Sequence, residues 1–209
     1  MPRGRFITLE GAEGTGKTTQ LPALARELRA RGLAVTTTRE PGGTPLGEAL
    51  RGLLLTPCEQ PMQPETELLL LAAARAEHLA QVIRPALAAG EWVLCDRYAD
   101  ASAAYQGAAR GIGVERVDAL HDLLLPGWRP DRTLLLETAT AVTIARRRAR
   151  GASDRFEAET AAFHAQVTAA YAARAYGEPE RFRCIDAGGS EAEVLARLVA
   201  ALADWLPPA

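Results

Sequence analysis

The stretch Gly11-Ala12-Glu13-Gly14-Thr15-Gly16-Lys17-Thr18 decides how this chain is read. It fits G-x-x-x-x-G-K-[ST], a loop that wraps backbone N–H groups around the phosphates of a nucleotide. Glycines let the main chain come close to phosphate oxygens that a side chain would screen. Lys17 supplies a compact charge for the terminal phosphates, and the Thr18 hydroxyl is a ligand for Mg²⁺. Gly11, Glu13, Gly14, Thr15, Gly16 and Thr19 complete the candidate nucleotide-binding set. Before the loop, Arg5 to Glu10 reads as an apolar, β-branched strand. After it, Leu21, Leu24, Ala25 and Leu28 form the buried stripe of a helix whose N-terminus favours anions. Lys17 is also the only lysine in the chain, at the position where a compact ammonium does what a planar guanidinium cannot.

The chain has 209 residues, 48% hydrophobic and 24% charged, which fits one soluble domain with a substantial core. A formal net charge of −2 gives no basic footprint for a nucleic-acid polymer. No run approaches 18 apolar residues, and the first apolar run follows Met1 too closely for a secretory signal, so a cytoplasmic protein without a membrane segment is expected. The three cysteines show no C-x-x-C spacing. Cys95 and Cys184 lie in strand-like runs, and both are expected to be reduced and buried.

Strand and helix patterns alternate, as in a parallel sheet with helices on both faces. Strands are expected at 34–38, 92–96, 132–137 and 183–187, giving five with the first. Helices are expected at 45–54, 65–89, 99–108, 114–124, 140–150 and 157–175, and the last opens at Ser190 with Glu193 completing a capping box. Pro85 inside the 65–89 pattern implies a kink or an early end. His78, His121 and His164 have no ligand spacing and read as structural.

Asp96 ends an apolar strand, where a P-loop protein places the acid that holds Mg²⁺ or its water shell. Arg97 follows it and could clamp donor and acceptor phosphates. Arg146, Arg147, Arg148 and Arg150, with Arg155 nearby, fit either a solvated helix face or a flap hinged at Gly151. Arg75 lies one helical turn beyond Leu71 on the same face.

Together the loop, Thr38–Thr44, Ala73–Arg75, Asp96–Tyr98, Ala104–Gly107 and Asp154–Glu157 closely resemble, in this order and over nearly the whole chain, the bacterial thymidylate kinase family. That resemblance implies a single P-loop kinase domain over residues 1–209, with a monophosphate-binding region at about 39–75 and a lid at about 146–157. It implies ATP and Mg²⁺ as partners of the loop, dTMP as the acceptor, and a homodimer. Arg39 and Arg97 match arginines that hold the acceptor phosphate. Pro41 matches a residue near the thymine methyl, Arg75 one that donates to thymine O4, and Ser102 and Gln106 residues near the base. Tyr105 matches a tyrosine beside the deoxyribose. Leu71 stands where the family usually has a phenylalanine to stack on the base, and Ala101 where it often has serine.

The implied reaction moves the γ-phosphoryl of ATP to the dTMP phosphate. The loop carries Glu13 and no arginine, so the lid is the expected source of catalytic guanidinium groups, with Arg150 and Arg155 joining Lys17 and Arg97. Kinases for other nucleoside monophosphates share the loop and lid and differ at Arg75, Ser102 and Tyr105. A GTP switch would need an Asn-Lys-x-Asp segment, which a chain with one lysine at position 17 cannot contain. A nucleotide-binding module without turnover is the third alternative, and steady ADP production only with dTMP present would exclude it.

Overall fold

The structure is a computed structural model that describes residues 4–57, 60–139 and 155–206. Five parallel strands, β1 (Phe6–Glu10), β2 (Val35–Arg39), β3 (Trp92–Asp96), β4 (Arg132–Glu137) and β5 (Phe182–Asp186), lie in the order β2-β3-β1-β4-β5. The expected boundaries of β3 and β4 are met, and β2 and β5 are each offset by one residue. The helices are α1 (Lys17–Ala30), α2 (Pro45–Leu55), α3 (Pro64–His78), α4 (Arg84–Ala88), α5 (Ala99–Ser102), α6 (Val114–Leu124), α7 (Ala161–Gly177) and α8 (Glu191–Ala200). The capping box at Ser190 and Glu193 forms as its spacing requires.

Every residue of central β1 is buried, and its period of two divides the work. Ile7 and Leu9 join the core under α1 and α8 with Leu24, Leu28 and Leu198. Phe6 joins the opposite core with Leu79, Ile83 and Tyr98. Glu10 falls on that second face too and is fully buried. In register, Leu9 pairs with Asp96, and Asp96 with Arg39. The carboxyl ends of β1, β3 and β2 therefore gather the phosphate loop, Asp96–Arg97 and Arg39 at one edge, where open parallel sheets bind ligands.

Several elements depart from the sequence expectations. The helix expected over 65–89 does not stop at Pro85 but continues through Ala88. Its α3 segment passes through a π-helical turn at Leu79–Ile83 into α4. Proline has no N–H for the carbonyl four residues back, and the widened turn accommodates that loss. The helix expected at 99–108 is α-helical only to Ser102 and π-helical over Ala103–Ala109, where Arg110 N donates to Tyr105 O at 2.9 Å. That turn carries Tyr105 and Gln106. Gly107 lets it approach α6, since a Cβ there would lie 3.0 Å from Val114 Cα.

The helix expected from 157 begins at Ala161, because the Thr160 side chain accepts from Phe163 N at 3.1 Å and sets the boundary. Cys95 is buried as expected, but Cys184 is exposed, because it lies on the edge strand β5. The helix expected over 140–150 lies outside the described residues, as do Arg150 and most of the expected lid.

Candidate active site

The phosphate loop is shaped by its neighbours as well as its own sequence. Gly11 has φ +135°, and a Cβ there would lie 2.4 Å from Leu136 O on β4. The loop runs straight into α1, whose Gly16 cap gives no side-chain bond and whose first turn has no acidic residue. Its N–H groups and positive dipole end are thus uncompensated by side chains, which is what an anion requires. Lys17 is buried, and its Nζ donates to Gly11 O at 2.8 Å and Ala12 O at 2.9 Å. Burial, helped by the nearby charge of Arg97, lowers its pKa to about 8.

A cleft of about 400 Å³ opens above this loop. Glu13, Gly14, Gly16, Lys17, Thr18 and Thr19 line one end. Arg39, Pro41, Leu71, Arg75, Asp96, Arg97, Ser102, Tyr105 and Gln106 line the rest. Of the expected loop set, Gly11 and Thr15 sit behind the lining. Asp96 Oδ1 is buried and has no hydrogen-bond partner among the described residues. A carboxylate oxygen in that condition, on a side chain lining the same cleft as Thr18, suits a hydrated divalent cation. Among the described residues there is no cluster of three or more His, Cys, Asp or Glu that could hold a metal by itself.

Arg97 is the single non-glycine residue with positive φ (+72°) among those described. Such a backbone costs about 1–3 kcal/mol and persists only where its surroundings enforce it. Here Glu10 does so: its Oε1 accepts from Tyr98 N at 2.7 Å, fixing the residue after Arg97. Its Oε2 accepts from the Tyr171 hydroxyl at 2.7 Å, and that hydroxyl accepts from Arg97 Nη1 at 3.1 Å. Arg97 Nη2 donates to Glu13 Oε1 at 2.6 Å and to the Tyr105 hydroxyl at 3.1 Å. Burial raises the Glu10 pKa to about 7.

At the far end Arg75 is 4% exposed. Its Nε donates to Glu40 Oε2 at 2.7 Å, and Nη2 donates to Ser102 Oγ at 2.8 Å and Tyr98 O at 3.2 Å. Among the described residues, Nη1 makes no hydrogen bond. His78 bonds Glu40 Oε1 through Nδ1 at 3.0 Å and Thr38 Oγ1 through Nε2 at 2.6 Å. His78 is structural, as expected, but what it supports is the site. Arg39 is half-exposed and forms a two-pronged pair with Glu48 at 2.8 and 2.9 Å.

Arg155 is expected in the lid as a catalytic guanidinium. Its guanidinium does not line the cleft; Nη1 lies 2.6 Å from Glu67 Oε2 and Nε donates to Leu54 O at 2.8 Å. A cation bound to a buried carboxylate anchors the lid's end to α2 and α3. Phe156 and Glu157 beside it do line the cleft. Sequence reasoning missed Glu40, Glu67, Tyr171 and Arg51, the last a lining residue that donates to Pro41 O at 2.9 Å. No local spacing marks any of them. Only for Arg51 was there a hint, an arginine within the largely apolar α2.

A P-loop at one end of a cleft and a buried arginine–serine pair at the other, on a five-stranded parallel sheet, define an α/β P-loop kinase of the nucleoside-monophosphate class. A sequence model of the family described as thymidylate kinase matches residues 9–198. The chain is 53% identical over 195 residues to the thymidylate kinase of Pseudomonas syringae pv. tomato, covering 93% of each. It is 52% identical over 206 residues to that of Rhizorhabdus wittichii, covering 98% of this chain and 99% of the relative. With that of Halorhodospira halophila it shares 53% over 207 residues, 98% and 96% respectively. The chain belongs to the thymidylate kinase family.

Proposed function

We propose that this protein transfers the γ-phosphoryl group of ATP to the 5′-phosphate of dTMP, giving dTDP. The observation that carries the reading is the cleft itself, with Lys17 and α1 at one end, Arg75 held on Ser102 at the other, and Arg97 on its wall. The acceptor is already anionic at neutral pH, so the reaction needs no general base. Its difficulty is the repulsion between two polyanions. Lys17 and the α1 N-terminus bind the donor phosphates, and Arg97, oriented by Glu13 and Tyr105, bridges donor and acceptor. Thr18 and Asp96 would hold Mg²⁺, which supplies charge neutralisation of the terminal phosphates when bound.

Arg75 offers its free Nη1 to a carbonyl oxygen of the base, where cytosine would present an amine, donor against donor. Tyr105 and Leu71 flank the nucleoside, and Pro41 and Arg39 the phosphate side. Arg150 remains the lid candidate for a second guanidinium over the transferring group, in a single kinase domain with its lid at about 146–157. We also propose a cytoplasmic homodimer. Exposed Leu69 on α3 and Leu123 on α6 support an apolar contact there, and no described helix is long and apolar enough to cross a membrane. Incubation with MgATP and a panel of nucleoside monophosphates tests the reaction. ADP release strongest with dTMP and weaker with dUMP is expected, and equal release with AMP or dCMP would sink it.

A further inference from the structure

Glu67 on α3 is wholly buried, lies outside the cleft lining, and has no part in the chemistry just described. Its Oε1 accepts from Gln106 Nε2 at 2.7 Å and from Arg110 Nε at 3.3 Å. Its Oε2 lies 2.6 Å from Arg155 Nη1. Arg110 in turn reaches Glu159 at 2.6 Å, and Arg155 stacks on Phe156 at 4.6 Å. A carboxylate set between guanidinium groups offers neighbours only lone pairs. The Gln106 amide must therefore turn its NH₂ toward Glu67. The opposite orientation would set carbonyl oxygen against carboxylate oxygen. The Gln106 carbonyl Oε1 is then the free end. It is buried, without a protein partner among the described residues, on a side chain that lines the cleft.

We propose that Glu67 is a specificity-determining positioning residue, which locks Gln106 as a hydrogen-bond acceptor and so makes the cleft demand an N–H donor from the edge of the base. This rests on the reading that the acceptor is a pyrimidine deoxynucleoside monophosphate. With Arg75 as donor, the wall then presents a donor–acceptor pair. A thymine-type edge meets it with a carbonyl and a ring N–H. A cytosine-type edge meets it with an amine and a ring lone pair, wrong at both points. If the amide were free to turn over, half of this discrimination would be lost, because glutamine can donate as readily as accept.

The test compares calorimetric Kd values for dTMP and dCMP in the wild type, in Glu67→Gln and in the double variant Glu67→Gln/Gln106→Glu. Glu67→Gln is expected to lower the preference for dTMP by about tenfold, since an amide at position 67 accepts either orientation of its neighbour. The double variant is expected to recover it to within about threefold, because the amide then donates to a carboxylate that can only accept from the base. A role confined to packing would not produce that recovery. An unchanged preference in the single variant, or no recovery in the double, overturns the proposal. Should Glu67→Gln not fold by thermal melting, the double variant against the wild type decides: a retained preference supports the proposal and equal affinities overturn it. ADP release by the wild type is measured separately, so a failure of the proposed reaction is distinguished from a failure of the Glu67 assignment.

Discussion

Arg75 Nε donates to Glu40 Oε2 across 2.7 Å, both side chains 4% exposed and 35 residues apart in sequence. With His78 holding the other carboxylate oxygen, Glu40 both neutralises the arginine and sets its direction. Removing one member of a buried pair leaves the other uncompensated, at a cost of about 3–5 kcal/mol. Glu40→Ala should therefore lower stability on that scale by denaturant melting and weaken dTMP more than ATP. Arg75→Ala should cut the dTMP-to-dCMP ratio of kcat/KM by about tenfold or more. An unchanged ratio would place base selection elsewhere.

Lys17 is gripped by two loop carbonyls in a space suited to a small ammonium. Lys17→Ala is expected to lower kcat by roughly a thousandfold, the scale of a lost charge at a transferring phosphoryl group. Lys17→Arg should not rescue it, because a planar fork neither fits the cradle nor concentrates its charge. Near-normal turnover in either variant, with circular dichroism unchanged, would remove the loop from the mechanism.

The same residue predicts a pH profile. Burial lowers its pKa to about 8, so the free enzyme loses the ammonium as pH rises through that value. kcat/KM should fall above about pH 8. The limb in kcat should lie higher, because bound phosphates restore the preference for the charged form. A kcat/KM profile flat to pH 10 would contradict the assignment, and the missing limb in Lys17→Ala residual activity would support it.

Two buried carboxylates act on stability in opposite directions. Burial, with the Asp100 charge adding, raises Glu10 from 4.5 to about 7, so the folded protein keeps a proton that the unfolded chain releases. Stability from this group is present below pH 4.5 and is lost as pH rises through about 7, on the order of 3 kcal/mol. At Asp100 burial pushes upward, but Arg181 and Arg174 outweigh it and bring the pKa from 3.8 down to about 2. Its contribution is present above pH 3.8 and is lost as pH falls through about 2. Melting temperature should therefore rise from pH 2 to 4 and fall from pH 4.5 to 7. Glu10→Gln should flatten the second slope and spare the first.

Leu71 lines the cleft where a ring could lie against the base. Leu71→Phe should lower KM for dTMP several-fold, since base–aromatic stacking contributes ~1–3 kcal/mol. A raised KM would show the pocket is packed around leucine.

The loop Gly11–Thr18, the strand ends at Asp96 and Glu137, the cap at Ser190 and the βα alternation were legible in the sequence because each depends on contiguous residues. Backbone freedom, strand period and capping chemistry act within a few positions, and they sufficed to place Lys17, Asp96 and Arg97 at one edge of a sheet. The resemblance supplied Arg75, Ser102 and Gln106 as site residues. Tertiary structure alone decided what holds them. Glu10 reaches Tyr171 across 161 residues, Glu67 gathers Gln106 and Arg155 from two other elements, and His78 steadies Arg75 through Glu40. Tertiary structure also set Arg155, expected as a lid guanidinium, against the Glu67 carboxylate. Such pairings follow from which helix packs on which face and how deeply a charge is buried. A pattern of near neighbours does not encode the distance between residues that only the folded chain brings together.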